Sequence, residues 1–170
     1  MELLLDADAV IKLQRTGVLE LVAQTFSCTI PDEVHREVVG QGKAGGYPDA
    51  WMIEETVRRL VTIGQPQEQS DRPVMRVPPG LGPGEREVLS LHAQDAVATM
   101  VTDDRAFVGF LARNRIPYMV PAGLIVSMVD RGVLAVEEGE AVLGRMEPMI
   151  REDVYRQGVD DVQKLRGASR

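Results

Sequence analysis

Short apolar runs alternate along the chain with stretches whose apolar residues recur at helical spacing. Leu3–Leu5 is unbroken, as expected of a strand covered on both faces, and it stops at Asp6. A helix begins over Ala9–Gln14 with Asp8 placed as its N-cap, and a second short helix follows Gly17 over Val18–Ala23. Cys28–Ile30 reads as a strand. Pro31, Asp32 and Glu33 then start a helix that runs through Val38 and ends at Gly40, with proline in the first turn and acids at the positive end of the dipole. Beyond the loop GKAGGYPD, Ala50–Leu60 is an amphipathic helix. Glycine, proline, glutamine and serine dominate from Gly64 to Gly84, which predicts a long irregular connection with at most one short strand near Val74–Val77. A helix starts at Pro83. The apolar run AVATMV again stops on acids, in TDD, and is followed by a helix over Phe107–Arg113, a strand over Ile116–Val120 and a helix over Ala122–Arg131 that ends at Gly132.

Strands alternating with helices require crossover connections, so the fold class is α/β: a mainly parallel central sheet with helices on both faces. Such sheets bind ligands at the carboxyl ends of their strands, where Asp6 and Asp104 both fall. The alternation ends near residue 135, giving one domain over 1–135 and a charged, helical C-terminal extension over 136–170. The extension carries Val142, Leu143, Met146, Met149 and Ile150, too few for a core of its own, so it packs on its own domain or on another subunit.

Charge narrows the chemistry. Nineteen basic against 26 acidic residues leave a net charge of −7, which excludes a surface that grips polyanions by bulk electrostatics alone. The single cysteine, Cys28, excludes a disulfide framework or a thiolate metal cluster within one chain, and reads as a small core residue. The N-terminal apolar run has no basic flank and is broken by acids, so it reads neither as a signal peptide nor as a membrane span, and the expected compartment is the cytoplasm. Burying a lone carboxylate costs several kcal/mol unless it is paired or bound to a cation, which makes Asp6 the first candidate for function. The architecture gathers Asp6, Glu37, Glu85 and Asp104 at one edge, with Asp8 as an additional ligand or supporting group. Four such acids repel one another and raise their own pKa values unless a cation neutralises them. An all-oxygen set suits Mg²⁺ or Mn²⁺ better than Zn²⁺. Local alternatives stand beside these: one of Asp103 and Asp104 caps the helix that follows, and Glu87 is the substitute for Glu85. His35 and His92 have no nucleophile to serve. Tyr47 and Trp51 read as anchors packing a helix onto the sheet, and the eight methionines as core filling.

The ordered motifs LLLDADAVIKL, IPDEVHREVV, GPGEREVLSLHAQ and VTDDRAF, closed by IPYMVPAGLIVSMVDRGVL, resemble the PIN domain, nearest to its predicted nucleic-acid-binding members related to VapC-type toxins. The resemblance implies a three-layer α/β/α fold and a metal-dependent nuclease of the kind that most often acts on single-stranded or structured RNA, read for this chain as an endoribonuclease. It aligns the family acids with Asp6, Glu37, Glu85 and Asp104, the small hydroxyl residue with Thr102, and sets Asp103 beside them. It further implies RNA as substrate, the toxin half of a toxin–antitoxin pair as one role with an antitoxin protein as partner, and a homodimer. The chain departs from the pattern in having Asp8 where relatives carry Ser, Thr or Asn, in Glu85 where many carry Asp, and in a longer loop before Gly84. Two other readings remain: a catalytically weak PIN domain that binds RNA or protein, and a haloacid-dehalogenase-like phosphatase with Asp6 as nucleophile, suggested by DADAV.

Overall fold

In the computed structural model, which describes residues 1–66, 80–94 and 98–168, the chain forms five parallel strands. They are β1 (Glu2–Leu5), β2 (Ser27–Pro31), β3 (Val61–Gly64), β4 (Thr99–Val101) and β5 (Tyr118–Met119). They lie in the order β3-β2-β1-β4-β5. The central strand is β1, paired through Leu3 with Cys28 on one side and with Thr99 on the other. Its three leucines are buried on both faces, the environment that an unbroken apolar run requires.

Between β1 and β2 lie α1 (Ala7–Arg15) and α2 (Leu19–Thr25), and α3 (Asp32–His35), a π turn (Arg36–Gln41), α4 (Gly42–Ala44) and α5 (Asp49–Leu60) lead from β2 to β3. Strand addition then switches to the other side of β1: α6 (Pro83–Gln94) precedes β4 and α7 (Arg105–Arg113) joins β4 to β5. Right-handed crossovers put the helices of the first half on one face of the sheet and α6 and α7 on the other, a three-layer α/β/α arrangement. After β5 come α8 (Pro121–Asp130), α9 (Val136–Met146) and α10 (Glu152–Ala168), which pack on one another, while α8 and α9 also meet α1. Val142, Leu143, Met146 and Val162 of this tail lie in the same hydrophobic core as the sheet. The tail thus packs on its own chain, and the Arg145 guanidinium ties it to the first half by donating to the Thr16 carbonyl at 2.9 Å.

Three expectations change. The strand β3 was hidden from the pattern because it is an edge strand whose Thr62 and Ile63 are exposed, so it carries no apolar run. The helix after Pro31 does not end at Gly40: a π turn carries it on to Ala44. Gly42 is needed there for close approach, because a Cβ would stand 2.8 Å from that of Ala50 on α5. Tyr47 and Trp51 are not buried anchors but stand 58% and 61% exposed, with the Lys43 ammonium 4.1 Å from the centre of the Trp51 ring. The segment Val74–Val77, expected to hold a short strand, lies outside the described residues, as do Ala96 and Val97 at the head of AVATMV.

Candidate metal-binding site

Because the chain moves outward from β1 to β2 and β3 and then returns to add β4 on β1's other side, the strand order reverses between β1 and β4. In parallel α/β sheets that reversal opens a crevice at the carboxyl edge. Two acids stand there in the same local setting. Asp6 ends β1 and caps α1, its Oδ1 accepting from the Ala9 N–H at 2.7 Å; Asp104 follows β4 and caps α7, its Oδ1 accepting from the Phe107 N–H at 2.7 Å. Asp8 is therefore not the cap: Ala7 is already helical, which makes the residue before it the cap and puts Asp8 inside the first turn. Capping and metal binding are compatible, since a carboxylate has two oxygens and the cap engages one.

Thr102 joins the two strand ends. Its hydroxyl donates to the Asp6 carboxylate, and its Oγ1 accepts from the Asp104 N–H at 3.3 Å. Asp6 itself is 6% exposed, and burial pushes its pKa up to about 7 against the opposing pull of the Thr102 and Ala9 hydrogen bonds. Asp104 is exposed.

The other two acids reach the edge from flanking elements. Glu37 rises from the π turn and its Oε2 lies 3.8 Å from where a Cβ of Gly84 would stand. Glu85, in the first turn of α6, accepts from the Gly82 N–H at 2.7 Å. Glu85 feels the charges of Asp104 and Glu37, and Glu37 feels those of Glu33 and Asp8. Both carboxyls titrate above their ordinary values, chiefly through burial and to a smaller extent through repulsion, while the Gly82 N–H pulls Glu85 the other way. That order corrects the expectation from sequence, in which mutual repulsion was the cause. Glu87, the substitute for Glu85, is committed elsewhere, accepting from the Glu33 N–H at the start of α3 at 2.9 Å.

The feature that sequence reasoning missed is Lys12. Its side chain is 11% exposed, and its ammonium bonds Asp8 Oδ2 at 2.5 Å and both oxygens of Asp103 at 2.6 and 2.8 Å. Asp8 and Asp103, expected as an additional ligand and a supporting residue, are thus held by a cation that belongs to the chain. The signal for it was the spacing of Asp8 and Lys12 by one helical turn, with the acidic member on the N-terminal side. Buried His92 bonds the Ala98 carbonyl through Nδ1 at 3.2 Å, at the other end of β4 from the acids.

Among the described residues no three His, Cys, Asp or Glu side chains stand close enough to share one ion. The donor chemistry nevertheless fits a hard divalent cation, which takes one or two carboxylates and completes its shell with water and substrate oxygens. Glu37 also lines a cavity of about 450 Å³ between α1, the π turn and α5, whose other walls include Arg15, Gln41, Tyr47 and Ile53. Among the described residues no helix is long and apolar enough to cross a membrane.

In comparison with known proteins, a family model described as PIN domain matches residues 2–159, taking in all five strands and running into α10. No curated protein and no solved structure gives a significant match.

Proposed function

Because the chain belongs to the PIN domain family, whose members are generally nucleases, we propose that it is a divalent-metal-dependent endoribonuclease. The observation that carries the reading is the pair of capping aspartates at the β1–β4 crevice, Asp6 and Asp104, with Glu85 feeling the charges of Asp104 and of Glu37. One or two of Asp6, Glu37, Glu85 and Asp104 would hold Mg²⁺ or Mn²⁺ through oxygens that the caps leave free, with water and substrate oxygens completing the shell. Such an ion supplies, when bound, both an activated water and polarisation of a phosphoryl oxygen. The residues themselves do the positioning. Thr102 fixes the Asp6 carboxylate and the start of α7 in one arrangement, and the rigid helix starts hold two of the acids against rotation. A folded protein of net charge −7 meets an RNA backbone unfavourably, and neutralising this edge removes the repulsion where the scissile phosphate must approach.

The test is incubation of a mixed RNA pool with the protein in Mn²⁺, in Mg²⁺ and in chelator, beside the Asp6→Asn and Glu85→Gln variants. Internal cleavage in metal, lost in chelator and in both variants, supports the proposal. RNA retention without cleavage favours a binding module, and hydrolysis of a small phosphomonoester in place of RNA favours a phosphatase.

A further inference from the structure

We propose that Lys12 is a resident cation that fills the place of a second metal ion, so that the protein binds a single divalent ion and Asp8 and Asp103 take no part in holding it. The inference rests on the metal-dependent reading above and extends it to the stoichiometry of the site. Three carboxylate oxygens converge on the ammonium at 2.5, 2.6 and 2.8 Å, from two acids on separate elements, Asp8 in α1 and Asp103 beyond β4. All three ammonium protons are therefore used, and the cation is spent within the protein. Asp103 and Lys12 are both nearly covered, at 9% and 11% side-chain exposure, so the pair is screened little by solvent. Two carboxylates gathered on one small cation, beside the strand end that carries Asp6, are the donor arrangement that a hard metal ion would use. Covalent attachment makes this cation permanent, whatever the metal supply. The Lys12–Asp103 bond also ties α1 to the segment between β4 and α7, and so holds the two capped strand ends in register before any metal arrives.

The proposal predicts a gain where a purely structural lysine predicts none. Lys12→Met frees Asp8 and Asp103, so Mn²⁺ binding measured by calorimetry should show a second equivalent, or binding roughly tenfold tighter than in the wild type. Lys12→Arg should keep the wild-type stoichiometry. In chelator Lys12→Met should melt below the wild type, and saturating Mn²⁺ should close most of that gap. If Lys12→Met proves too unstable to handle without metal, the double variant Lys12→Met with Asp103→Asn removes a cation and an anion together. It should bind a single ion, as the wild type does, while Lys12→Met purified in Mn²⁺ should carry more Mn²⁺ per chain. Unchanged affinity and stoichiometry in Lys12→Met, with one ion bound by the wild type, overturns the role of Lys12 and leaves the nuclease reading standing. Binding by Lys12→Met but not by the wild type upholds the role of Lys12 and overturns the metal-dependent reading. No binding by either overturns both.

Discussion

The ends of β1 and β4 are built alike and placed differently. Each strand runs into an aspartate whose Oδ1 caps the next helix at 2.7 Å, yet Asp6 is 6% exposed with its pKa pushed up to about 7 while Asp104 is open to solvent. The difference comes from the neighbours. Asp6 directly follows the central strand β1, which β2 and β4 flank, whereas Asp104 stands three residues beyond the end of β4, outside the buried Val101 and Thr102. A local motif thus fixes which backbone amide a carboxylate satisfies, and position relative to the sheet fixes whether that carboxylate is buried.

The largest effect should separate the two aspartates by pH. With an ordinary value of 3.8 in the unfolded chain and about 7 in the folded one, Asp6 holds its proton longer when folded. Metal-free stability should therefore be greatest below pH ~4, fall as pH rises through the window to ~7, and level off above it, by on the order of 4 kcal/mol for this group. Asp6→Asn keeps a side chain that can cap α1 and removes the charge, so it should melt above the wild type at pH 8 and lose much of that slope. Parallel melts of the two proteins from pH 4 to pH 8 would show that Asp6 is not strained by its charge.

Metal should reverse the same strain. Mn²⁺ at about a hundred times its Kd should stabilise the wild type by roughly 2.7 kcal/mol, chelator should undo this, and Asp6→Asn should show little of either. Cleavage by Asp6→Asn should fall by about a hundredfold or more. A thermal melt insensitive to Mn²⁺ would count against the site.

Smaller changes sharpen the comparison at the bridge and at the exposed end. Thr102→Val removes the hydroxyl that donates to Asp6 and accepts from the Asp104 amide, at a cost of about 1 kcal/mol, and should carry the Asp6 titration further upward, read by following its carboxyl carbon in NMR. Asp104→Ala should cost about 1 kcal/mol in urea unfolding through loss of the α7 cap. The smallest effect is assigned to Asp104→Asn, which retains a capping side chain at an exposed position and should change metal-free stability by less than about 0.5 kcal/mol. A stabilisation as large as that of Asp6→Asn would erase the distinction between the two strand ends.

Much of this was legible in the residues. The run Leu3–Leu5 announced a buried central strand and its terminating acid, and TDD after AVATMV announced the second. Alternation then required a parallel sheet, and the ordered motifs pointed to the family that residues 2–159 match. What escaped the sequence were features whose stabilisation comes from elsewhere in the chain. The edge strand β3 takes its form from pairing with β2, Val61 opposite Cys28, while its own exposed residues carry no strand pattern. The helix past Gly40 continues because Gly42 lets it pack on Ala50.

The sequence by itself determined which residue type follows β1 and β4, since a carboxylate after an apolar run is both a stop signal and a helix cap, and both are local properties of the chain. Only the tertiary structure decided which aspartates cap a helix, which are buried and which are paired. Asp6 and Asp8 are interchangeable as caps in one dimension, and so are Asp103 and Asp104. Folding separates them by bringing Lys12 across 91 positions to Asp103 and by closing Thr102 over Asp6. Charge interactions act through space and fall off with distance rather than with separation along the chain, so the partner that sets a carboxylate's state is known only once the strands are side by side.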